Sequence, residues 1–320
     1  MNPGKIVVLG TGGTIAGTAD SAGGNIGYQC AQIGVQELLA AVPGLADAAQ
    51  GPLAAEQVAQ IDSKDMDFAV WAVLAARCRM LLADPDVRAI VVTHGTDTLE
   101  ETAWFLHCVL DAHKPVVLTC AMRPATALAP DGPQNLRDAM AVAATPGAHG
   151  VLAVCAGVLH GARQVQKVHP YRVDAFGSGD AGPLGWVEEG VVRLAQNWPQ
   201  VQSGWAQCAL KSMAVGAPWP RVEIIMNYAG ASGAVVDALV RDGVQGLVVA
   251  ATGNGTLHCS LQQALERAQA AGVQVRVSTR CPGGRVLPRP GATLPYADGL
   301  SPVKARVSLL LELWGAKAQA

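Results

Sequence analysis

Short apolar runs alternating with longer helix-forming segments constrain this chain more than any other feature. Lys5–Leu9, Arg88–Val92, Pro115–Thr119 and Val151–Val154 are dominated by valine, leucine and isoleucine. They are too short for buried helices and read as strands covered on both faces. Between them, Val35–Ala41, Asp67–Ala83, Leu99–Leu110 and Asn135–Ala144 read as helices. A strand that returns parallel to its predecessor needs such a crossover, so the alternation predicts βαβ units. A second series follows, with strands at Val222–Met226, Gly246–Ala250 and Val273–Thr279. Helices at Ala231–Asp242 and Ser260–Ala271 separate them, and Pro302–Ala316 closes the chain as a last helix. From Leu194 to Pro220 the alternation stops, and Asn197-Trp198-Pro199 and Ala217-Pro218-Trp219-Pro220 carry turn chemistry instead. The expected architecture is α/β. Residues 1–195 form a larger N-terminal domain with a mainly parallel sheet flanked by helices, 196–220 a linker, and 221–320 a smaller C-terminal α/β domain.

Two turns carry the chemical signal. Gly10-Thr11-Gly12-Gly13-Thr14-Ile15-Ala16-Gly17 follows the first strand, and Thr93-His94-Gly95-Thr96-Asp97-Thr98 follows the strand at Arg88–Val92. Open α/β sheets bind ligands at the carboxyl ends of their strands. Exposed threonine hydroxyls there, beside the carboxylate of Asp97, predict nucleophilic chemistry. The first turn departs from a dinucleotide fingerprint, because Ile15 stands at the third glycine position. No Gly-Lys-Ser/Thr follows, which also argues against a phosphate-cradling loop. The segment Gly17–Gly27 offers little apolar surface to pin it, and it is expected to move as a lid. Asp97 with Glu100 also fits a helix N-terminal capping pattern, and His94 reads as a hydrogen-bonded structural histidine.

A formal net charge of −2, without any lysine- or arginine-rich block, argues against nucleic-acid or anionic-membrane partners. No apolar stretch reaches membrane-spanning length. The chain opens Met1-Asn2-Pro3-Gly4-Lys5 with no apolar signal region before the first strand, and the expected location is cytoplasmic. Cysteines at 30, 78, 108, 120, 155, 208, 259 and 281 form no C-x-x-C pair and are expected to be reduced, buried, small hydrophobes. The histidines are equally dispersed, so no metal is expected; no cofactor is expected either.

Gly10–Gly17, Ile61–Met66, Thr93–Thr102, Ala121-Met122-Arg123-Pro124, Gly161–Lys167 and Gly253-Asn254-Gly255 together resemble the bacterial L-asparaginases, in that family's order and over nearly the whole chain. The resemblance implies an amidohydrolase that converts L-asparagine to L-aspartate and ammonia through a threonine nucleophile and an acyl-enzyme. Thr14 matches the family's primary nucleophile and Tyr28 the tyrosine that helps activate it. Thr96, Asp97 and Lys167 match the second cluster, in which lysine and aspartate polarise the threonine. Ser63, Lys64, Asp97, Ala121 and Thr256 match substrate-binding positions: Asp97 would hold the substrate ammonium, Ser63 its carboxylate. Backbone amides at Thr14 and Thr96 would form the oxyanion hole. The implied assembly is a homotetramer built as a dimer of dimers.

The match breaks at three positions. Family members bring a glutamate from a neighbouring subunit's second domain to the first threonine, whereas Gly283–Gly291 contains no carboxylate; either the Thr14–Tyr28 pair lacks its third member or another acid such as Asp298 reaches in. Thr256 stands where relatives often carry asparagine or serine, and Lys64 where they often carry glutamine or glutamate. These changes bear on rate and on asparagine-versus-glutamine preference. Two alternatives follow: a glutaminase-asparaginase of broad amide specificity, or an amino-acid-binding sensor with weakened turnover. Retention of Thr14, Thr96, Asp97 and Lys167 argues against the sensor, since binding alone needs only the aspartate and serine.

Overall fold

The computed structural model describes residues 4–19, 24–200 and 218–317. Its contacts divide the chain into two compact units, residues 1–204 and 205–320. Most of the expected 196–220 linker, part of the expected lid at Gly17–Gly27, and Cys208 lie outside the described residues.

The first unit is built on eight strands: β1 (Lys5–Gly12), β2 (Leu53–Ile61), β3 (Val87–Thr93), β4 (Pro115–Thr119), β5 (Gly150–Cys155), β6 (Val158–Gly161), β7 (Gly185–Glu188) and β8 (Val191–Leu194). Their order across the sheet is β8-β7-β6-β5-β4-β3-β1-β2. Strands β2, β1, β3, β4 and β5 run parallel, and β6 to β8 continue the sheet antiparallel. The parallel part thus has the order 2-1-3-4-5. The chain leaves β1 toward one edge for β2, then returns to the other side of β1 for β3. Between β1 and β3 the loops part in opposite directions, leaving a crevice at the carboxyl ends.

Helices α1 (Val35–Ala40), α2 (Leu45–Ala49), α3 (Phe68–Ala83), α4 (Leu99–Val109) and α5 (Gly132–Ala144) flank this sheet. Alternate strand residues Ile6, Val8, Val91, Val117 and Leu152 share one core with Val35, Leu38, Leu45 and Leu136. The intervening Val7, Leu9, Ile90 and Val92 are just as buried, so both faces of the central strands are covered. This is why those strands read as unbroken apolar runs. Trp71 of α3 stacks on Phe105 of α4 at 4.6 Å, and its Nε1–H donates to Thr102 Oγ1 at 2.9 Å.

The second unit holds three parallel strands, β9 (Val222–Met226), β10 (Gly246–Ala251) and β11 (Gln274–Thr279), in order β9-β10-β11. Helices α6 (Ala234–Arg241), α7 (Cys259–Ala270) and α8 (Pro302–Lys317) accompany them. The core of this unit includes Val236, Leu247, Val249, Leu261, Leu265 and Val275.

Several expectations need correction. The sequence pattern does not mark β2, β6, β7 and β8 as strands. β2 (LAAEQVAQI) is an edge strand only partly buried along its length, and it lacks the β-branched run that marks its neighbours. α5 starts at Gly132 rather than Asn135, with Pro133 in its first turn, where the missing N–H costs nothing. Of the cysteines expected to be buried, Cys78, Cys108, Cys120 and Cys155 are, Cys30 is half-buried, and Cys259 and Cys281 are exposed.

Candidate active site

Three loops meet at the carboxyl ends of β2, β1 and β3. Gly13 ends the first with φ +83°, and a Cβ added there would lie 2.4 Å from the Cα and N of Gly95. A Cβ on Gly95 would lie 2.3 Å from Ser63 Oγ. Glycine is therefore required at both positions by close approach, and at Gly13 also by its left-handed backbone. The contact brings the 3-10 turn Thr14–Ala16, the 3-10 turn Ser63–Asp65 and the Gly95–Thr98 turn into one crevice wall.

Thr14 follows Gly13 directly, and its Oγ1 is 2.8 Å from the Tyr28 hydroxyl. Tyr28 reaches it because Tyr28–Gln29 pairs antiparallel with Thr18–Ala19, a short hairpin at the base of the glycine-rich segment. Burial raises the Tyr28 phenol above its ordinary value, outweighing the hydrogen bond to Thr14, so it stays protonated at neutral pH. Cys30 Sγ lies 4.0 Å from Thr14 Oγ1, and burial followed by the charge of Asp62 raises its thiol.

Across the crevice, Lys167 Nζ donates to Thr96 Oγ1 at 2.8 Å and to Asp97 Oδ1 at 2.6 Å. The Thr96 hydroxyl lies 3.4 Å from the same carboxylate oxygen. Lys167 sits on the two-residue strand Gln166–Lys167, and its backbone N–H donates to Glu100 Oε1 at 3.2 Å. The anticipated Asp97–Glu100 capping pair is not what starts α4. Thr98 is the cap residue and makes no side-chain cap bond, while Asp97 and Glu100 are both turned to Lys167. Thr14 and Thr96, expected to be exposed, are 5% and 6% accessible. Each hydroxyl is enclosed beside groups that can exchange its proton, Tyr28 for Thr14 and Lys167 with Asp97 for Thr96.

Ser63 is buried, and its Oγ accepts the Asp97 N–H at 3.2 Å while its carbonyl accepts from Thr98 Oγ1 at 2.8 Å. Lys64, although next in sequence, is exposed and held by Asp62 and Asp65 at 2.8 and 3.2 Å. Its ammonium is raised by hydrogen bonds to those two carboxylates. Burial opposes the charge on Asp62, but hydrogen bonds from the Lys64 side chain and backbone outweigh it and lower that carboxyl. Ala121 is buried just beyond β4, where the Asp131 carboxylate receives the following Met122 and Arg123 N–H groups at 2.9 Å each. Thr256 belongs to the second unit, its Oγ1 donating to the Thr252 carbonyl at 2.9 Å. Asp298 also belongs to the second unit, where its backbone has φ +50°.

His94 is fully buried beneath Gly95 and Thr96, and burial pushes its imidazole down to about 4. Its Nδ1 lies 2.7 Å from the Gly95 carbonyl, which makes Nδ1 the protonated nitrogen of a neutral ring. Glu100, Asp131 and Cys30 also frame the site, a role their local sequence does not announce. Glu100 and Cys30 are brought in by contacts distant in sequence, which no local pattern marks. Among the described residues no cluster of three or more histidine, cysteine or carboxylate groups could hold a metal ion.

Comparison with known proteins adds independent findings. Residues 5–200 match the family model "Asparaginase, N-terminal", and residues 221–318 match "Glutaminase/Asparaginase C-terminal domain". The chain is 37% identical to L-asparaginase 2 of Bacillus subtilis over 97% of its own length and 82% of that protein's. It is also 37% identical to the glutaminase-asparaginase of Pseudomonas fluorescens biotype A, covering 97% of this chain and 86% of the relative. The crystal structure of a probable cytoplasmic L-asparaginase from Campylobacter jejuni superposes with a TM-score of 0.90 at 37% identity, covering 99% of this chain and 98% of that one.

Proposed function

This chain belongs to the asparaginase family of amidohydrolases, which hydrolyse L-asparagine, and on that premise we propose that it works through Thr14 as nucleophile and an acyl-enzyme intermediate. The observation that carries the reading is the pair of enclosed hydroxyls, Thr14 on Tyr28 and Thr96 on Lys167 and Asp97. Thr14 Oγ1 attacks the side-chain amide carbon of the substrate. Its proton passes to the Tyr28 oxygen as Tyr28 hands its own to the leaving amide nitrogen, and the same relay returns a proton to Thr14 when water cleaves the ester; a buried phenol that holds its proton suits a relay better than a standing base. Backbone N–H groups at Thr14 and Thr96 receive the developing oxyanion. Lys167 protonates the departing ammonia through Thr96, and its amine form then takes a proton from the water that cleaves the ester. Asp97 and Ser63 hold the ammonium and carboxylate of the substrate.

Ammonia release from L-asparagine and L-glutamine tests this directly. Thr14→Ala and Thr96→Ala are each expected to lower kcat by ~10³-fold or more, as loss of a member of a catalytic unit does. Full activity in either variant removes that threonine from the mechanism. Binding without turnover in the unmutated protein would favour the sensor. The Pseudomonas relative's description as a glutaminase-asparaginase supports the dual-substrate reading, which the glutamine-to-asparagine ratio decides. Homotetrameric assembly is proposed from the family resemblance, and light scattering after gel filtration would return four chains. The Campylobacter protein's description supports a cytoplasmic location, whereas a relative from Haemophilus influenzae is described as a probable periplasmic asparaginase. Cell fractionation separates the two.

A further inference from the structure

Two thiols outside the proposed machinery stand at the ends of neighbouring strands. The register between β4 and β5 ends with Thr119 opposite Val154, so Cys120 and Cys155 come next, side by side. Their sulfurs are 3.2 Å apart and both side chains are buried. Paired strands run about 4.8 Å apart, within the ~4.4–6.8 Å between Cα atoms that a disulfide spans. Closing 3.2 Å to the ~2.05 Å of an S–S bond needs only a small displacement.

The surroundings tie that displacement to the site. Asn135 of α5 donates through Nδ2 to the Cys120 carbonyl at 2.9 Å, and its Oδ1 accepts the Ala156 N–H at 2.9 Å. The same Nδ2 lies 3.2 Å from Asp131 Oδ2, the carboxylate that holds the Met122 and Arg123 amides. One side-chain amide thus spans both cysteine-bearing strand ends and connects them to the loop that carries Ala121. Ala156, immediately after Cys155, already has φ +50°, a conformation with little freedom to absorb a shift.

We propose that Cys120 and Cys155 form a redox-responsive dithiol whose oxidation to an intrachain disulfide shifts the Ala121–Arg123 loop and lowers turnover. The oxidant is a small hydroperoxide such as hydrogen peroxide. One sulfur takes the distal peroxide oxygen to become a sulfenic acid, with cleavage of the O–O bond and release of water. The second sulfur attacks it, forming the S–S bond and releasing a second water. Two thiols and one peroxide therefore give one disulfide and two waters, with two electrons passing from sulfur to oxygen. The effect on catalysis rests on the proposed role of Ala121; the crosslink itself does not.

The experiment treats the intact protein with hydrogen peroxide at mildly alkaline pH, blocks remaining thiols and maps peptides without reduction. The expected result is a crosslinked Cys120–Cys155 peptide that dithiothreitol reverses. In step with it, kcat/KM for L-asparagine should fall ~10-fold or more, since a shift of about 1 Å near reacting groups is worth up to that and beyond. Cys155→Ser and Cys155→Ala should fold, form no such peptide and retain activity under peroxide. Separately blocked Cys120 and Cys155 overturn the proposal, as does a crosslink with unchanged kcat/KM. Peroxide inactivation that persists in the Cys155 variants assigns the loss to another group, Cys30 beside Thr14 first, and also overturns it. An unoxidised protein that does not hydrolyse asparagine sinks the functional reading instead, whatever the peptide map shows.

Discussion

At the scale of single residues, enclosure is what separates the site from an ordinary pair of loops. A threonine hydroxyl in water exchanges partners freely, whereas Thr14 and Thr96 are held against a phenol and an ammonium with little competing solvent. His94 belongs to the same buried layer and sets a cost at low pH. Its folded value, about 4, lies below the unfolded 6.5, so the unfolded chain takes up a proton first as pH falls. Its neutral burial costs nothing above pH 6.5, and stability is lost progressively between 6.5 and about 4. At 1.36 kcal/mol per unit the loss approaches roughly 3 kcal/mol. Urea unfolding of His94→Asn should show a shallower fall between pH 7 and pH 4.5 than the parent. Parallel falls in the two proteins would mean that other groups carry the acid sensitivity.

At the scale of elements, the crevice depends on backbones that touch. Gly13 against Gly95 and Gly95 against Ser63 leave no room for a methyl group at either glycine. Gly95→Ala is therefore expected to pry the three loops apart and to lower kcat/KM by ~10²-fold, the penalty for misplacing groups by about an ångström. Gly34→Ala is the matched control, because Gly34 has φ −70° and open space where the methyl would go. Steady-state kinetics of the two variants decide it: equal activities would show that the loops give way without consequence. The sequence marked β1 and β3 and the turns after them, since fully buried parallel strands must be apolar throughout. It did not mark β2, whose half-exposed edge carries Glu56, Gln57 and Gln60. Yet β2 delivers Ser63. Nor did it mark the hairpin that swings Tyr28 onto Thr14, because strands of two residues have no period to read.

At the scale of the whole molecule, the chain carries separate cores. One includes residues from Ile6 to Val187 and another residues from Ile225 to Leu294, each assembled within its own unit. Cores that close independently unfold with less cooperativity than a single one. Calorimetry should accordingly give a van't Hoff enthalpy below the calorimetric enthalpy, with near-ultraviolet and far-ultraviolet transitions that do not coincide. A single transition with equal enthalpies would show that the units unfold as one.

By itself, the sequence determined the α/β alternation, the two threonine-bearing turns and the order of motifs that resembles the asparaginases. Each is written in local chemistry: apolar runs, glycines in turns, spacing along a few residues. The tertiary structure decided which of those residues meet. It brought Lys167 to Thr96 from across the chain, Tyr28 to Thr14 through a short hairpin, and Ser63 to Asp97 through an edge strand. It turned Lys64 out to Asp62 and Asp65, and set Cys120 beside Cys155. Such pairings depend on sheet order and register, and those are settled by how the crossovers pack, which no short stretch of chain records.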